Sequence, residues 1–128
     1  MFYQRPGNLV NCHMAVIHID YSRNMDESEV ISALRALGEP TRLRVVRLLA
    51  GAHEGMAAGD IADALKVKQN TMSSHIAALT RCGLIDGNRH GRKIVYKADA
   101  GMARRLGMYV LVNLGNIPDS KASRALRG

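Results

Sequence analysis

The chain has 128 residues, a formal net charge of +7 and 47% hydrophobic residues, which suits one globular domain and excludes both a two-domain protein and a wholly disordered one. No apolar run reaches the roughly 18 residues of a membrane span, and Gln4, Arg5, Asn8 and Asn11 break the N-terminal stretch where a secretion signal needs an apolar core. One Phe, four Tyr and no Trp disfavour single-strand and RNA binding by ring stacking, and two cysteines are too few for a disulfide scaffold, so a reduced, cytoplasmic protein is expected.

Residues 1–25 stand apart as an N-terminal arm or extension. Pro6-Gly7-Asn8 is turn chemistry, and residues 14–21 alternate as a short strand would, with Ala15, Ile17, Ile19 and Tyr21 on one face. Met25, followed by acidic residues, is an alternative start. From Asp26 the pattern turns helical. Val30, Ile31, Leu34 and Leu37 recur at helix spacing, acids stand at the start where the helix dipole favours them, and Gly38 stops the run. Pro40 opens a second helix, with Leu43, Val46, Leu49 and Ala50 as its expected buried stripe. Residues 51–55 read as a loop. A third helix follows from Ala58 to Leu65, buried through Ile61, Ala62 and Leu65.

After a turn at residues 66–69, a fourth helix runs from Gln69 to Cys82, with Gly83 as its stop. At 100° per residue, Met72, Ile76 and Leu79 share one face, and Asn70, Ser73, Ser74, Ala77 and Arg81 lie opposite. Two short helices joined by a tight turn, the second with a small polar outer face, are what a helix-turn-helix needs to enter the major groove. Bulky groups there would hold the helix off the base edges. A hairpin comes next, with Gly91 in its turn and Arg89, His90, Arg92 and Lys93 at its tip. A basic hairpin after a recognition helix reads as a wing for phosphates and the minor groove, against the plainer reading of a solvated hairpin.

The charge agrees with this placement. Residues 66–105 hold nine basic residues (Lys66, Lys68, Arg81, Arg89, Arg92, Lys93, Lys97, Arg104 and Arg105) and two acids, Asp86 and Asp99, so they carry the whole net charge. Such a local excess points to a polyanion-binding face. The last helix, residues 100–114, is apolar around most of its circumference through Met102, Leu106, Met108, Tyr109, Val110, Leu111, Val112 and Leu114. It needs more cover than one small domain offers, and homodimerisation is the simplest source. Residues 118–128 form a polar, basic tail. The expected fold is mainly α with a small β-hairpin: a winged helix-turn-helix of five helices plus a wing over residues 26–117.

Several motifs resemble the ArsR/SmtB family of bacterial repressors. The run Ala36-Leu37-Gly38-Glu39-Pro40-Thr41-Arg42-Leu43-Arg44 is similar to the family's opening. Asp60-Ile61-Ala62 to Leu65, Gln69 through Leu79 and Gly83-Leu84-Ile85 resemble its helix-turn-helix, and Arg92 to Lys97 its wing. The resemblance spans residues 30–114. It implies a homodimer built through the first and last helices, bound to an inverted-repeat operator in double-stranded DNA and released by an effector. Gln69, Asn70, Thr71, Ser73, Ser74 and His75 are the candidate base and phosphate contacts on the recognition helix, and Arg89, Arg92 and Lys93 those on the wing.

The family's effector motifs are missing. The Cys-Val-Cys positions of its thiolate metal sites read Ala57, Ala58 and Gly59, and the last helix has neither His nor Cys. Two weaker sensors remain. Cys12, His13 and His18, with Asp20, form a loose cluster in the arm that suits zinc or copper if two arms contribute; an arm without a metal is the plainer reading. Cys82, beside Arg81, has the cationic neighbour that makes a thiol oxidisable, or it is a small residue packed under the wing. The effector, whether metal, metalloid or thiol-reactive species, is not legible. Nothing supports an enzyme, since no nucleophile–base pair, phosphate loop or paired carboxylate stands in context. A winged-helix protein-interaction module without an inducer site is the alternative on the same fold, and the concentrated charge argues against it.

Overall fold

Helix α1, Glu27–Leu37, starts where Asp26 leaves extended backbone and its N–H donates to the Glu29 carboxylate at 3.0 Å. The computed structural model describes residues 25–115. Along this span follow α2 (Pro40–Ala50), β1 (Met56–Ala57), α3 (Ala58–Leu65), α4 (Gln69–Arg81), β2 (Ile85–His90), β3 (Lys93–Ala98) and α5 (Ala100–Asn113). Glu39 caps α2 by accepting from the Arg42 N–H at 2.9 Å, ahead of Pro40 in the first turn. Asp99 caps α5 in the same way through the Met102 N–H at 3.0 Å. The five helices and the hairpin thus stand where the sequence places them.

One strand was not expected. The loop after α2 ends in β1, which pairs antiparallel with β3 through Met56↔Tyr96 and Ala57↔Val95, giving a three-stranded sheet of order β1-β3-β2. Gly55 makes this approach possible. Its φ is +81°, and a Cβ there would lie 2.6 Å from Val95 Cγ1 and 2.8 Å from the Tyr96 carbonyl oxygen. A two-residue strand is too short to show the alternation by which strands are read.

The core gathers Val45 of α2, Ile61 of α3, Met72 and Leu79 of α4, and Leu84 and Ile85 at the start of the hairpin, all fully buried. Full burial of side chains of this size contributes about 1.5–3 kcal/mol each. The stripe on α4 is as expected, with Met72, Ile76 and Leu79 inside. On α3, Ile61 and Ala62 are buried and Leu65 partly so. On α1 and α2 the buried stripes are rotated from the expected ones. In α1 the small Ala33 and Ala36 join Val30 in the core, while Ile31 and Leu34 are 44% and 42% exposed. In α2, Val45 and Leu49 are inside, Val46 is partly buried, and Leu43 and Ala50 face solvent. Small alanines let α1 lie close to the core, so its larger apolar groups point elsewhere. On α5, only Met102 and Leu106 are buried; Leu111 and Leu114 are 45% and 72% exposed.

The two tight glycines separate steric strain from backbone strain. Gly91, at φ +67°, has open space around its missing Cβ, whereas Gly55 does not. Gly91→Ala is expected to cost about 1–2 kcal/mol, the left-handed penalty alone, and Gly55→Ala distinctly more, because β3 must also move. Urea unfolding of the two variants measures the difference; equal losses would show that β1 is not held against β3.

Candidate nucleic-acid interface

The α3–α4 unit turns at Lys66, which takes left-handed backbone at φ +56° while Val67 N–H returns to the Ala62 carbonyl at 3.0 Å. This closure ends α3 and starts α4 with Lys68 at its N-cap. Because Met72, Ile76 and Leu79 are buried, the opposite face of α4 is bared to solvent. Gln69, Asn70, Thr71, Ser73 and Ser74 are all exposed on its first turns. Asn70 Oδ1 accepts from the Thr71 N–H at 2.8 Å and Ser73 Oγ donates to the Gln69 carbonyl at 2.9 Å. These local bonds keep the side chains short and close to the helix surface.

The wing supplies the cations. Register in β2–β3 runs from Ile85↔Ala98 to His90↔Lys93, so Gly91 and Arg92 alone form the loop. From Arg89 through Ile94 every residue is exposed. The hairpin therefore leaves the body after Asn88 and carries Arg89, Arg92 and Lys93 outward together. Between it and α4 lies a cleft of about 360 Å³ that includes Ser73, Ala77, Arg81 and Tyr96. Tyr96 is a residue that sequence patterning did not single out. Its ring packs over Gly87 of the paired strand, where a Cβ would meet it at 2.8 Å, and it lines the cleft together with residues of α4. The cross-strand pair Gly87↔Tyr96 is the signal that would have found it.

His75, also among the candidate contacts, stands at the edge of the buried stripe of α4. Its ring is partly buried against α2, where Nδ1 accepts from Arg42 Nε at 3.3 Å and lies 3.5 Å from Glu39 Oε2. The reason is angular: position 75 shares the inner side of α4 with Met72, Ile76 and Leu79. Burial acts to raise the Glu39 carboxyl, but donation from the Arg42 and Thr41 N–H groups and the nearby His75 and Arg42 charges outweigh it and hold the carboxyl below its ordinary value of 4.5. The Glu39–Arg42–His75 cluster thus ties the start of α2 to the recognition helix.

Cys82 caps α4, half-buried, with Sγ donating to the Leu79 carbonyl at 3.3 Å. Cys12, His13 and His18 lie outside the described residues. Among the described residues there is no group of three or more His, Cys, Asp or Glu side chains able to hold a metal ion, and no helix is long and apolar enough to cross a membrane.

Comparison with known proteins decides the family. A model described as a helix-turn-helix domain matches residues 37–88. The HTH-type transcriptional regulator CmtR of Mycobacterium tuberculosis is 37% identical over 108 residues, covering 81% of this chain and 89% of the relative. The chain belongs to the ArsR/SmtB family of transcriptional regulators.

Among solved structures, an ArsR-like transcriptional regulator from Rhodococcus sp. RHA1 is similar at 26% identity, with a TM-score of 0.61 over 78% of this chain and 88% of that one. A homodimeric winged helix-turn-helix DNA-binding domain from Mycobacterium bovis shares the fold at 23% identity and a TM-score of 0.56, over 84% and 90% of the two chains. This ArsR/SmtB chain is accordingly a DNA-binding regulator and not an enzyme, and its α3–α4 unit and β2–β3 wing are the family's helix-turn-helix and wing.

The sign of the Glu39 shift gives a pH test. A carboxyl lowered by folding stabilises the protein above its unfolded value and loses that contribution as pH falls through the folded value. Wild type should therefore lose stability below about pH 4.5, and Glu39→Gln should be less stable at neutral pH but lose less over that interval. Unfolding midpoints measured from pH 7 to 3 check this; parallel curves would remove the charge from the account.

Proposed function

We propose that this regulator acts as a homodimeric repressor on an inverted-repeat operator. Residues 26–117 are its DNA-binding and dimerisation unit. The observation that carries the reading is the pairing, on one side of the molecule, of a bared small-polar helix face with a cationic hairpin that projects from the body. Gln69, Asn70, Thr71, Ser73 and Ser74 contact base edges and nearby phosphates in the major groove. Arg89, Arg92 and Lys93 hold the wing to the backbone. His75 acts through Arg42 and Glu39, positioning α4 rather than touching bases.

The dimer reading rests on the apolar groups that α1 and α5 leave uncovered. Ile31 and Leu34 on α1, with Leu111 and Leu114 on α5, are the large hydrophobic residues these helices expose, and self-association is the arrangement that covers them. A two-fold dimer places two recognition helices about one DNA turn apart, and the operator has that spacing. The effector is a metal, metalloid or thiol-reactive species acting on a dissociable complex in the cytoplasm.

The deciding experiment is fluorescence anisotropy of the reduced protein on DNA from upstream of its own gene, alone and with arsenite, zinc or an organic polysulfide. The expected result is tight, salt-dependent binding of two chains per site, reversed by one additive. Equal affinity for random DNA of the same length would end the repressor reading, and retained binding to an acidic protein with no operator preference would favour an interaction module.

Two variants separate the roles. Arg92→Gln should weaken operator and random DNA alike and lower the salt slope by about one, while Ser74→Ala should weaken the operator selectively, by about 1 kcal/mol; identical behaviour on both DNAs would refute the assignment. For the dimer, Leu34→Glu combined with Leu111→Glu should give monomers in sedimentation and at least tenfold weaker operator binding. A two-chain mass that persists in this variant would place the interface elsewhere.

A further inference from the structure

Next to the DNA-facing side, α1, the start of α2 and the end of α4 border an open cleft of about 380 Å³. Three arginines line it: Arg35 from α1, Arg42 from α2 and Arg81 from α4. Ser28 and Ser32 stand on the same face of α1 as Arg35, at successive turns, and Ala78 precedes Arg81 by one turn on α4.

Arg35 and Arg81 have no described carboxylate within ion-pair distance, whereas Arg42 lies in the field of Glu39. Among the described residues the one close contact between a basic side chain and a carboxylate is His75 Nδ1–Glu39 Oε2 at 3.5 Å, so none of the three arginines is paired with a described carboxylate. Two acids approach the cleft, and both are engaged. Asp26 accepts from Ser28 Oγ at 2.7 Å, and Glu39 accepts from the Arg42 N–H while facing His75. Arg42 uses Nε on His75, which fixes the plane of its guanidinium and leaves its two terminal amino groups to donate elsewhere. Three like charges gathered in a concave site repel one another until an anion joins them, and guanidinium forks match paired oxygens.

We infer that this cleft is a binding site for a small, multiply charged oxyanion, phosphate-bearing or polycarboxylate. It is lined in part by Ile31, at the edge of the apolar face of α1, and it shares Arg81 with the cleft between α4 and the wing. The same phosphate chemistry is also presented by a DNA backbone, so the two sources need separate arms of the test.

The test is calorimetric titration of the full chain with pyrophosphate in phosphate-free buffer, repeated with citrate. One pyrophosphate per chain is expected, with at least tenfold weaker binding in Arg35→Gln and in Arg81→Gln. Arg104→Gln, which removes one exposed charge on α5, should bind as wild type does. Pyrophosphate affinity that falls equally in all three variants would reduce the effect to net charge and overturn the site, as would no measurable binding by wild type of unchanged circular dichroism. In the second arm, pyrophosphate is titrated into the preformed complex with a duplex. Binding that persists supports a free anion as the ligand. Displacement by the duplex, together with a lower salt slope in Arg35→Gln, would assign the cleft to DNA phosphate and overturn the small-anion ligand.

Discussion

Everything on the outer surface of this regulator depends on how α4 is fastened. Met72, Ile76 and Leu79 sink into a core shared with Val45, Ile61, Leu84 and Ile85, and that single stripe decides which side chains are left outside. A helix pinned along one edge has no freedom to roll, so the small polar residues of its opposite face are presented at a fixed angle. The Glu39–Arg42–His75 cluster adds a polar fastening at the side of the same helix, and Tyr96 over Gly87 packs the two wing strands together. The hydrophobic contacts give the helix its place, and the polar ones refine its angle.

Much of this was legible in the sequence, because the signals involved are local. The stops at Gly38 and Gly83, Pro40 in a first turn and the Gly91 hairpin act over a few residues, and the stripe on α4 repeats at helix spacing, so they can be read from the chain itself. The limits of α3 and the buried stripe of α4 were readable for this reason. The family resemblance carried by Ala36 to Arg44 and by the residues around α4 located the wing and the helix-turn-helix together.

What escaped was set by packing between elements distant in the chain. The stripe on α1 passes through Ala33 and Ala36 and not through Ile31 and Leu34, because close approach to the core favours small groups over hydrophobic bulk. Strand β1 exists only because β3 offers an edge to it, some forty residues away in sequence. The partners of His75 could not be read either, because it is α2 that brings Arg42 and Glu39 to it. Hydropathy patterns record which residues avoid water and not which neighbour each one meets.

The shape of the hairpin has one more implication. From Arg89 to Ile94 no side chain is anchored in the core, so the tip is held only by its own ladder and its two-residue turn. A unit with so few buried contacts opens at a fraction of the global unfolding cost. Its amide protons should therefore exchange long before those of α4, and the tip can adjust to a groove of varying width without disturbing the helix that reads the bases. Rigid reading and compliant grip are thus assigned to adjacent segments of one chain.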